Sequence, residues 1–515
     1  MDRSVTQGRP VDPEPGHRSN LLPERWLVPA RVWLAPLGVG LLALALTRIA
    51  LLPGLAYWDT AELQSVGPLM GTAHPTGFPT YVLLAWFASV VLQPLGDPAF
   101  RMNLLAALCV AVAAGVTVDL VRALTRSTAL GVLAGVGLTL TPIVWKIGTH
   151  AETHALHLAL LAILVRLLVA WEQSRSDRAL VAASVVFGLA VGNHSLTLLL
   201  VPAVGLYVIW VQPAIIRRWR LVLACLGALA ATVVLVYLEL PLRAGPFRAP
   251  LVYGHPETWD GFWYVVLAEQ FQESLKSPFQ DLDLKGLALI GRTVAGFGPL
   301  AGLIPIGFAA TVVARPRYAL LSGVAVAVTC FFAASYVNAD IDRYYLGPAL
   351  LAWTWIAILA WVVARAIPDA LRGLPWLLAA ALLLPSLVTA PARLASVDRS
   401  RDDQARRWVE GALAAMEPNA LVVSWWSYST PLWYVQRVEG RRPDIEIVDD
   451  RTRLDQQLGE VIDVIDTNLP TRPVYVIRIR SGELAELAAR YVLIPLDTIG
   501  DSGLSRVVGR RKGGT

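Results

Sequence analysis

The sequence predicts a mainly α-helical, polytopic membrane protein carrying a C-terminal α/β domain. Three observations predict it. Hydrophobic residues make up 55% of the 515 residues and charged residues 16%, against ~25% charged in an ordinary soluble domain. Mean hydropathy is +0.54, and apolar runs near the ~20 residues that cross a bilayer recur along the chain. The last 120 or so residues regain charge and alternate short β-rich runs, at 420–424, 445–448, 473–479 and 491–495, with helical patterns, about the size of one domain. A soluble globule is excluded. The net charge of +5 is too small and too dispersed to mark a nucleic-acid surface. Cys109, Cys225 and Cys330 each sit inside an apolar run, which leaves no disulfide framework and no CxxC metal site.

Residues 1–31 are polar, and no small-residue cleavage site follows the first apolar run, so that run is expected to be an anchor and 1–31 cytoplasmic. Spans are expected at 32–53, 102–121, 129–148, 155–171, 179–196, 197–213, 221–240, 286–313, 318–337, 346–364 and 374–392, about eleven in all. The membrane module then covers 32–393 and the extracytoplasmic domain 394–515. Lys and Arg gather in short cytoplasmic loops. Arg122, Arg126, Arg175, Arg178, Arg217, Arg218, Arg220, Arg315, Arg317, Arg365 and Arg372 all fall in loops of one side, provided the apolar segment 79–95 lies on the outer face rather than crossing. The opposite, outer side receives 57–101, the turns at 150–154 and 192–195, the loop 241–286, the turn 338–345 and everything after about 393.

That outer side holds the unusual chemistry. Asp59 and Glu62 lie three residues apart just beyond the first span, and acids at that depth are costly unless paired or used; capping of a helix start is the alternative reading. The loop from His74 to Pro79 is stiffened by Pro75 and Pro79, while Gly77 gives it a tight turn. His150, His154 and His157 surround Glu152 at the end of a span. Helical spacing of two histidines suits zinc, but Ala151 stands where HExxH has its glutamate; polar capping and a shared outer pocket stay open. Gly192, Asn193, His194 and Ser195 read either as pocket residues or as the end of a helical hairpin. Arg343 with Tyr344 and Tyr345 reads as a phosphate fork or as a snorkelling arginine in an aromatic belt. The loop 241–286 adds Arg243, Arg248, Tyr253, His255, Glu257, Trp259, Asp260, Glu269 and Gln270, with the composition of a groove or of a solvated loop. No GxxxxGK[ST] and no strand-linked GxGxxG is present, so no nucleotide phosphate cradle is indicated.

Asp59-Thr60-Ala61-Glu62 followed by His74-Pro75-Thr76-Gly77-Phe78-Pro79-Thr80-Tyr81 resembles the acidic motif and HPPGYPLY-type loop of a membrane family once catalogued as of unknown function, whose animal member is a protein O-mannosyltransferase. Arg101 to Leu105, Glu152 after Trp145, Gly192-Asn193-His194, Pro241-Leu242-Arg243-Ala244, Arg343-Tyr344-Tyr345, Pro431-Leu432-Trp433-Tyr434 and Arg442-Pro443-Asp444 continue the resemblance in order from about Tyr57 to Asp450. Ser424-Trp425-Trp426-Ser427-Tyr428 is similar to the WWDYG segment of oligosaccharyltransferases, with Ser427 at the aspartate position; a buried aromatic core is expected for the two tryptophans.

The resemblance implies a GT-C membrane glycosyltransferase: an inverting enzyme of a prokaryotic plasma membrane that moves a sugar, mannose by family, from a polyprenyl-phosphate donor to an outer acceptor such as a protein Ser or Thr hydroxyl. Asp59 would then be the general base with Glu62 second, and Arg343 and Arg243 the cations on the donor phosphate. His74, Glu152, His154, Asn193, His194 and Tyr344 would contact substrate. A divalent metal, Mg or Mn, is left open, because members of the wider class differ in needing one. A glycolipid or cell-wall polysaccharide is the alternative acceptor. A transporter or lipid flippase is the rival class, but it should show matching halves and midplane acids, whereas these acids gather in outer loops.

Overall fold

The structure is a computed structural model that describes residues 32–367, 373–478, 481–496 and 502–511. The expected cytoplasmic segment 1–31, together with Arg372, lies outside the described residues. Among them seven helices are long and apolar enough to cross a membrane: Pro98–Thr125, Thr153–Ser174, Trp219–Ala244, Leu282–Ala314, Pro316–Ser335, Ile341–Ala366 and Leu374–Val397. The expected spans at 102–121, 155–171, 221–240, 286–313, 318–337, 346–364 and 374–392 fall on these.

The other four expected spans are shorter. Leu34–Ile49 has 16 residues, Thr128–Leu140 has 13, Asp177–Asn193 has 17, and Ser195–Val211 is a 3-10 turn followed by an 11-residue helix. Their ends have local causes. Thr141, before Pro142, takes an extended conformation with ψ of 123°, as a residue preceding proline prefers, so 129–148 breaks into two helices. The apolar segment 79–95 forms the helix Pro79–Val91. It buries Tyr81, Val82, Ala85 and Ala88 while Trp86, Phe87, Val90 and Val91 stay exposed.

Long helices such as Trp219–Ala244 leave Leu223, Leu226, Val234 and Leu235 uncovered by protein, which suits a lipid-facing wall. The inner helices approach closely. A Cβ on Gly115 would lie 2.8 Å from the Pro36 carbonyl oxygen, so the helices Leu34–Ile49 and Pro98–Thr125 meet where only hydrogen fits.

The C-terminal part is a five-stranded sheet in the order β2-β1-β3-β5-β4. Its strands are β1 (Leu421–Val423), β2 (Glu446–Val448), β3 (Val474–Ile477), β4 (Tyr491–Pro495) and β5 (Leu504–Arg510). β2, β1 and β3 are parallel, and β5 runs antiparallel between β3 and β4. The β-rich runs expected at 420–424, 445–448, 473–479 and 491–495 supply the first four strands, Ile479 lying outside the described residues. β5 adds a strand that the charged sequence around Arg506 and Arg510 hid. This domain is welded to the helical module: Leu55, Ala61 and Ala99 share one buried cluster with Trp408, Tyr434, Ile447 and Ile477, and Ala99 N–H donates to the Tyr434 hydroxyl at 3.0 Å.

One buried carboxamide positions the loops that carry the site. Asn103 is 0% exposed. Its Nδ2 donates to the carbonyls of Leu52 and Gly54 at 3.0 and 3.1 Å, and its Oδ1 accepts from Gln64 Nε2 and Ala151 N–H, both at 2.9 Å. All four of its hydrogen-bonding positions are used. The approach to the helix carrying Asp59 and the turn carrying Glu152 are thus tied to one side chain.

Replacing Asn103 by Leu keeps the volume but strands several buried polar groups, each costing roughly 1–3 kcal/mol. Asn103→Leu is expected to lower the thermal unfolding midpoint and to open 50–57 to limited proteolysis; a parent-like midpoint and digest would remove Asn103 from this role.

Candidate active site

Residues from five separate connecting segments and from the C-terminal domain line one cavity of about 520 Å³. The helix Trp58–Leu69 begins in the first of these segments. Its N-cap is Tyr57, which makes no side-chain cap, so Asp59 is not a capping residue. Instead the Trp426 indole N–H donates to Asp59 Oδ1 at 3.0 Å. Among the described residues Asp59 has no ion-pair partner, and its carboxylate faces the cavity.

Glu62, one turn on, is placed differently. It is 2% exposed, accepts the His74 backbone N–H at 2.8 Å through Oε1, and pairs with His74 Nδ1 through Oε2. It lies against an adjoining cavity rather than the one that Asp59 lines. Gly77, at φ +79°, turns the loop that brings His74 back onto Glu62; a larger residue there is strained. Burial disfavours the charged imidazole, but Glu62 and Asp59 outweigh it and raise the His74 pKa above its ordinary value.

On the opposite wall Glu152 is the N-cap of the helix Thr153–Ser174, accepting His154 N–H at 3.2 Å. The capping reading and the pocket reading both hold for this residue. Its Oε1 also lies 2.8 Å from His154 Nδ1, and its Oε2 accepts from Arg343 Nη1 at 2.9 Å. Burial alone would raise the Glu152 pKa; Arg343 and His154 reverse that and hold the carboxyl well below the usual range. Arg343 stands in the turn Ile341–Tyr345, with Nη2 3.6 Å from Asp340 and a buried Nε that has no hydrogen-bond partner among the described residues. The guanidinium is therefore oriented by Glu152 and flanked by Asp340, with its buried Nε left without an acceptor among the described residues. His154, His194 and Tyr344 complete this wall, the two imidazoles 4.6 Å apart and Tyr344 5.7 Å from His154 between ring centroids. Burial, with His154 and His157 close by, pushes the His194 pKa well down, and its Nδ1 accepts the Leu196 N–H at 3.2 Å. The other rim is apolar, from Leu196, Leu267, Phe271, Leu275 and Phe332.

Besides Glu62, two more expected site residues lie outside this cavity. Arg243 donates through Nε and Nη2 to the carbonyls of Met70 and Leu69 at 2.7 and 3.1 Å, neutralising the C-terminal end of the helix Trp58–Leu69. It does not line the Asp59 cavity. Asn193 is buried below the cavity, its Nδ2 donating to the Thr153 carbonyl at 3.1 Å, so it joins two helix ends. Two residues were missed. Trp426 is not simply core but walls the cavity and binds Asp59. Arg451, from the C-terminal domain, also lines it, its guanidinium carbon 3.0 Å from the Tyr253 ring centroid and 4.0 Å from that of Trp426. The WWDYG-like pattern was a signal for Trp426; Arg451 has no local signal.

Among the described residues no group of three or more His, Cys, Asp or Glu is placed to hold a metal ion. His154 and Glu152 bond to each other and Glu62 to His74, so these side chains do not form a metal-ligand set.

The His74 shift has a definite sign. A pKa raised on folding adds stability that is complete below the ordinary value of 6.5 and is lost as pH climbs through the raised value. The gap in thermal midpoint between the parent and His74→Gln should be widest in mild acid and should narrow with alkalinity. A gap that widens with pH would contradict the Glu62 pairing; repeating the series in a Glu62→Gln background should abolish the pH dependence.

Residues 59–215 match the family model described as the Protein O-mannosyl-transferase TMEM260 N-terminal domain. Mouse TMEM260, a protein O-mannosyl-transferase, is 29% identical over 221 residues, 41% of this chain and 31% of the mouse protein. The chain thus spans about a third of the curated relative it matches (31%). Among solved structures, ArnT from Cupriavidus metallidurans bound to undecaprenyl phosphate superposes with a TM-score of 0.60 at 15% identity, covering 93% of this chain and 98% of that one. Its apo form gives a TM-score of 0.58 with the same coverage. The chain is therefore a multi-pass membrane protein with the fold of ArnT, resembling the TMEM260 protein O-mannosyl-transferases in sequence over its N-terminal part.

Proposed function

We propose that the protein is a membrane glycosyltransferase that moves a sugar, mannose in the family-implied form, from a polyprenyl-phosphate carrier to an acceptor hydroxyl with inversion at the anomeric carbon. The observation that carries this reading is the placement of an unpaired carboxylate, Asp59, and of Arg343, whose Nε has no partner among the described residues, on the walls of a single cavity with an apolar rim. ArnT, which shares the fold, binds undecaprenyl phosphate, and the apolar rim suits a prenyl chain.

The chemistry follows from which groups are free. As the acceptor oxygen attacks the anomeric carbon, its proton passes to Asp59, the carboxylate without a cationic partner. Glu62 is the poorer base, because both of its oxygens are engaged by His74, and its part is to hold that loop. The bond from the anomeric carbon to the phosphate oxygen breaks, and the electron pair leaves with the polyprenyl phosphate. Arg343 meets the developing charge, and a guanidinium fork matches phosphate oxygens. Glu152 keeps that fork aimed, while His154, His194, His74 and Tyr344, which line the same cavity, contact the sugar. We assign the cavity to the extracytoplasmic side of the plasma membrane, because the arginine-rich loops collect on the other face. We infer protein Ser or Thr as the acceptor from the likeness to TMEM260.

The test uses purified full-length protein and labelled polyprenyl-phosphate mannose. Asp59→Asn keeps an acceptor for the Trp426 N–H and is expected to fold, to bind undecaprenyl phosphate, and to lose roughly 10²–10⁴-fold in transfer; parent-like transfer would remove Asp59 as base. Arg343→Lys keeps a charge beside Glu152 but loses the fork, and should cost about 10²–10³-fold in kcat/KM. Unchanged kinetics would place the phosphate elsewhere.

A further inference from the structure

A second cavity, of about 570 Å³, lies on the seam between the segment 248–253 and the C-terminal domain. Its charge is balanced: Arg248, Arg437, Arg451 and Arg472 stand against Glu62, Asp444, Glu446 and Asp455. Arg472 is spent on Glu446 at 2.5 Å, and Asp444 on Arg442. A phosphorylated lipid or a polyanionic glycan would need an excess of cations, which this wall lacks.

One side of the cavity is a strand edge. β2 ends the sheet order, and among the described residues no strand pairs with its outer side. Glu446 N–H donates to the Ala420 carbonyl, and the Val448 carbonyl accepts from Ser424 N–H. Those two residues direct their backbone groups at β1, so Ile447 between them directs its own N–H and C=O to the outer edge, a point at which another strand can pair; the groups of Ile445 are already used by the Arg442 carbonyl and Gln436 Nε2. Ile445, Ile447 and Val448 line the cavity, and the facing wall is the irregular backbone from Arg248 to Tyr253.

The cavity also adjoins the one that Asp59 and Arg343 line. Glu62 lines it while pairing with His74, which lines the Asp59 cavity. Arg451 lines both and rests against Tyr253 on one side and Trp426 on the other. The two spaces meet at a wall one side chain thick.

The geometry points to this second cavity as the acceptor subsite, in which an extended polypeptide adds as a strand to the free edge of β2 and offers a Ser or Thr hydroxyl at the partition formed by Arg451. Main-chain hydrogen bonds then supply affinity with little demand on sequence. The inference deepens the proposed function and rests on it; the transfer step itself is unchanged.

The experiment presents the full-length protein with labelled polyprenyl-phosphate mannose and a pool of threonine-containing decapeptides, beside the same pool N-methylated on alternate backbone nitrogens. Methylation removes strand donors but keeps every hydroxyl. KM for the methylated pool should rise at least about tenfold, and equal KM values would overturn strand addition. Ile447→Pro removes an edge donor that β1 does not use, and should raise KM for the unmodified pool in the same sense; the methylated-pool comparison stands even if this variant misfolds. Transfer confined to a glycan or lipid acceptor would overturn the polypeptide subsite while leaving the donor reading intact. Absence of both undecaprenyl phosphate binding and transfer to any acceptor would sink the proposed function itself.

Discussion

The arrangement of the site depends on the carboxamide of Asn103. Two chain segments, one leading into the helix that bears Asp59 and the other into the turn that bears Glu152, have backbone groups that no regular structure satisfies. Asn103 takes one or two from each, and Gln64 closes the set by accepting the Ala56 N–H at 3.0 Å and donating to the Gly54 carbonyl at 2.9 Å. Buried polar groups in low dielectric are strongly held when satisfied and costly when not. A network with every position filled therefore behaves as a rigid clasp, and the two walls of the cavity inherit their spacing from it.

Upon that frame the acids are differentiated by their partners rather than by type. Glu62 is tied to His74, Glu152 to Arg343 and His154, and Asp59 only to a neutral indole N–H. Both oxygens of Glu62 and of Glu152 are engaged by hydrogen-bond donors, so these two acids hold their neighbours, whereas Asp59 is engaged through Oδ1 alone among the described residues. The same logic runs through the arginines. Arg243 is consumed by carbonyls, whereas Arg343 is oriented by Glu152 and keeps an Nε without an acceptor among the described residues.

This division explains what could be read from the chain before its fold. Asp59, His74, Glu152, His154, His194, Arg343 and Tyr344 stand out because polar groups at the ends of apolar runs carry a desolvation cost that demands a reason, and the fold brings all seven to one cavity. Arg243 and Asn193 stand out for the same reason, but their reason is backbone carbonyls at helix ends, and residue type cannot distinguish a carbonyl from a phosphate oxygen. The long helices were legible from hydropathy. The turn at 192–195 was legible too, from its polar Asn193, His194 and Ser195, whereas the break before Pro142 was not, because apolar character continues across it. β5 escaped because Arg506, the adjacent pair Val507 and Val508, Gly509 and Arg510 break the polar-apolar alternation of a strand, and its partners lie on both sides, so sheet pairing, not sequence pattern, defines it.

Arg451 and Trp426 were hidden for a deeper reason, which is that the site is shared between two folding layers. Trp408, Tyr434 and Ile477 of the domain pack in one cluster with Leu55, Ala61 and Ala99 of the helical module. Burial of apolar area on this scale is non-directional and contiguous, so it fixes the domain against the helix Trp58–Leu69 without itself encoding any chemistry. The directional contacts ride on that seam: an indole N–H on Asp59, and a guanidinium between Tyr253 and Trp426. A hydrophobic seam that is rigid can place a single hydrogen-bond donor on a carboxylate from more than three hundred residues away in sequence, 367 in this chain. The domain is therefore a wall of the cavity that Asp59 lines, and the helical module alone presents only part of it.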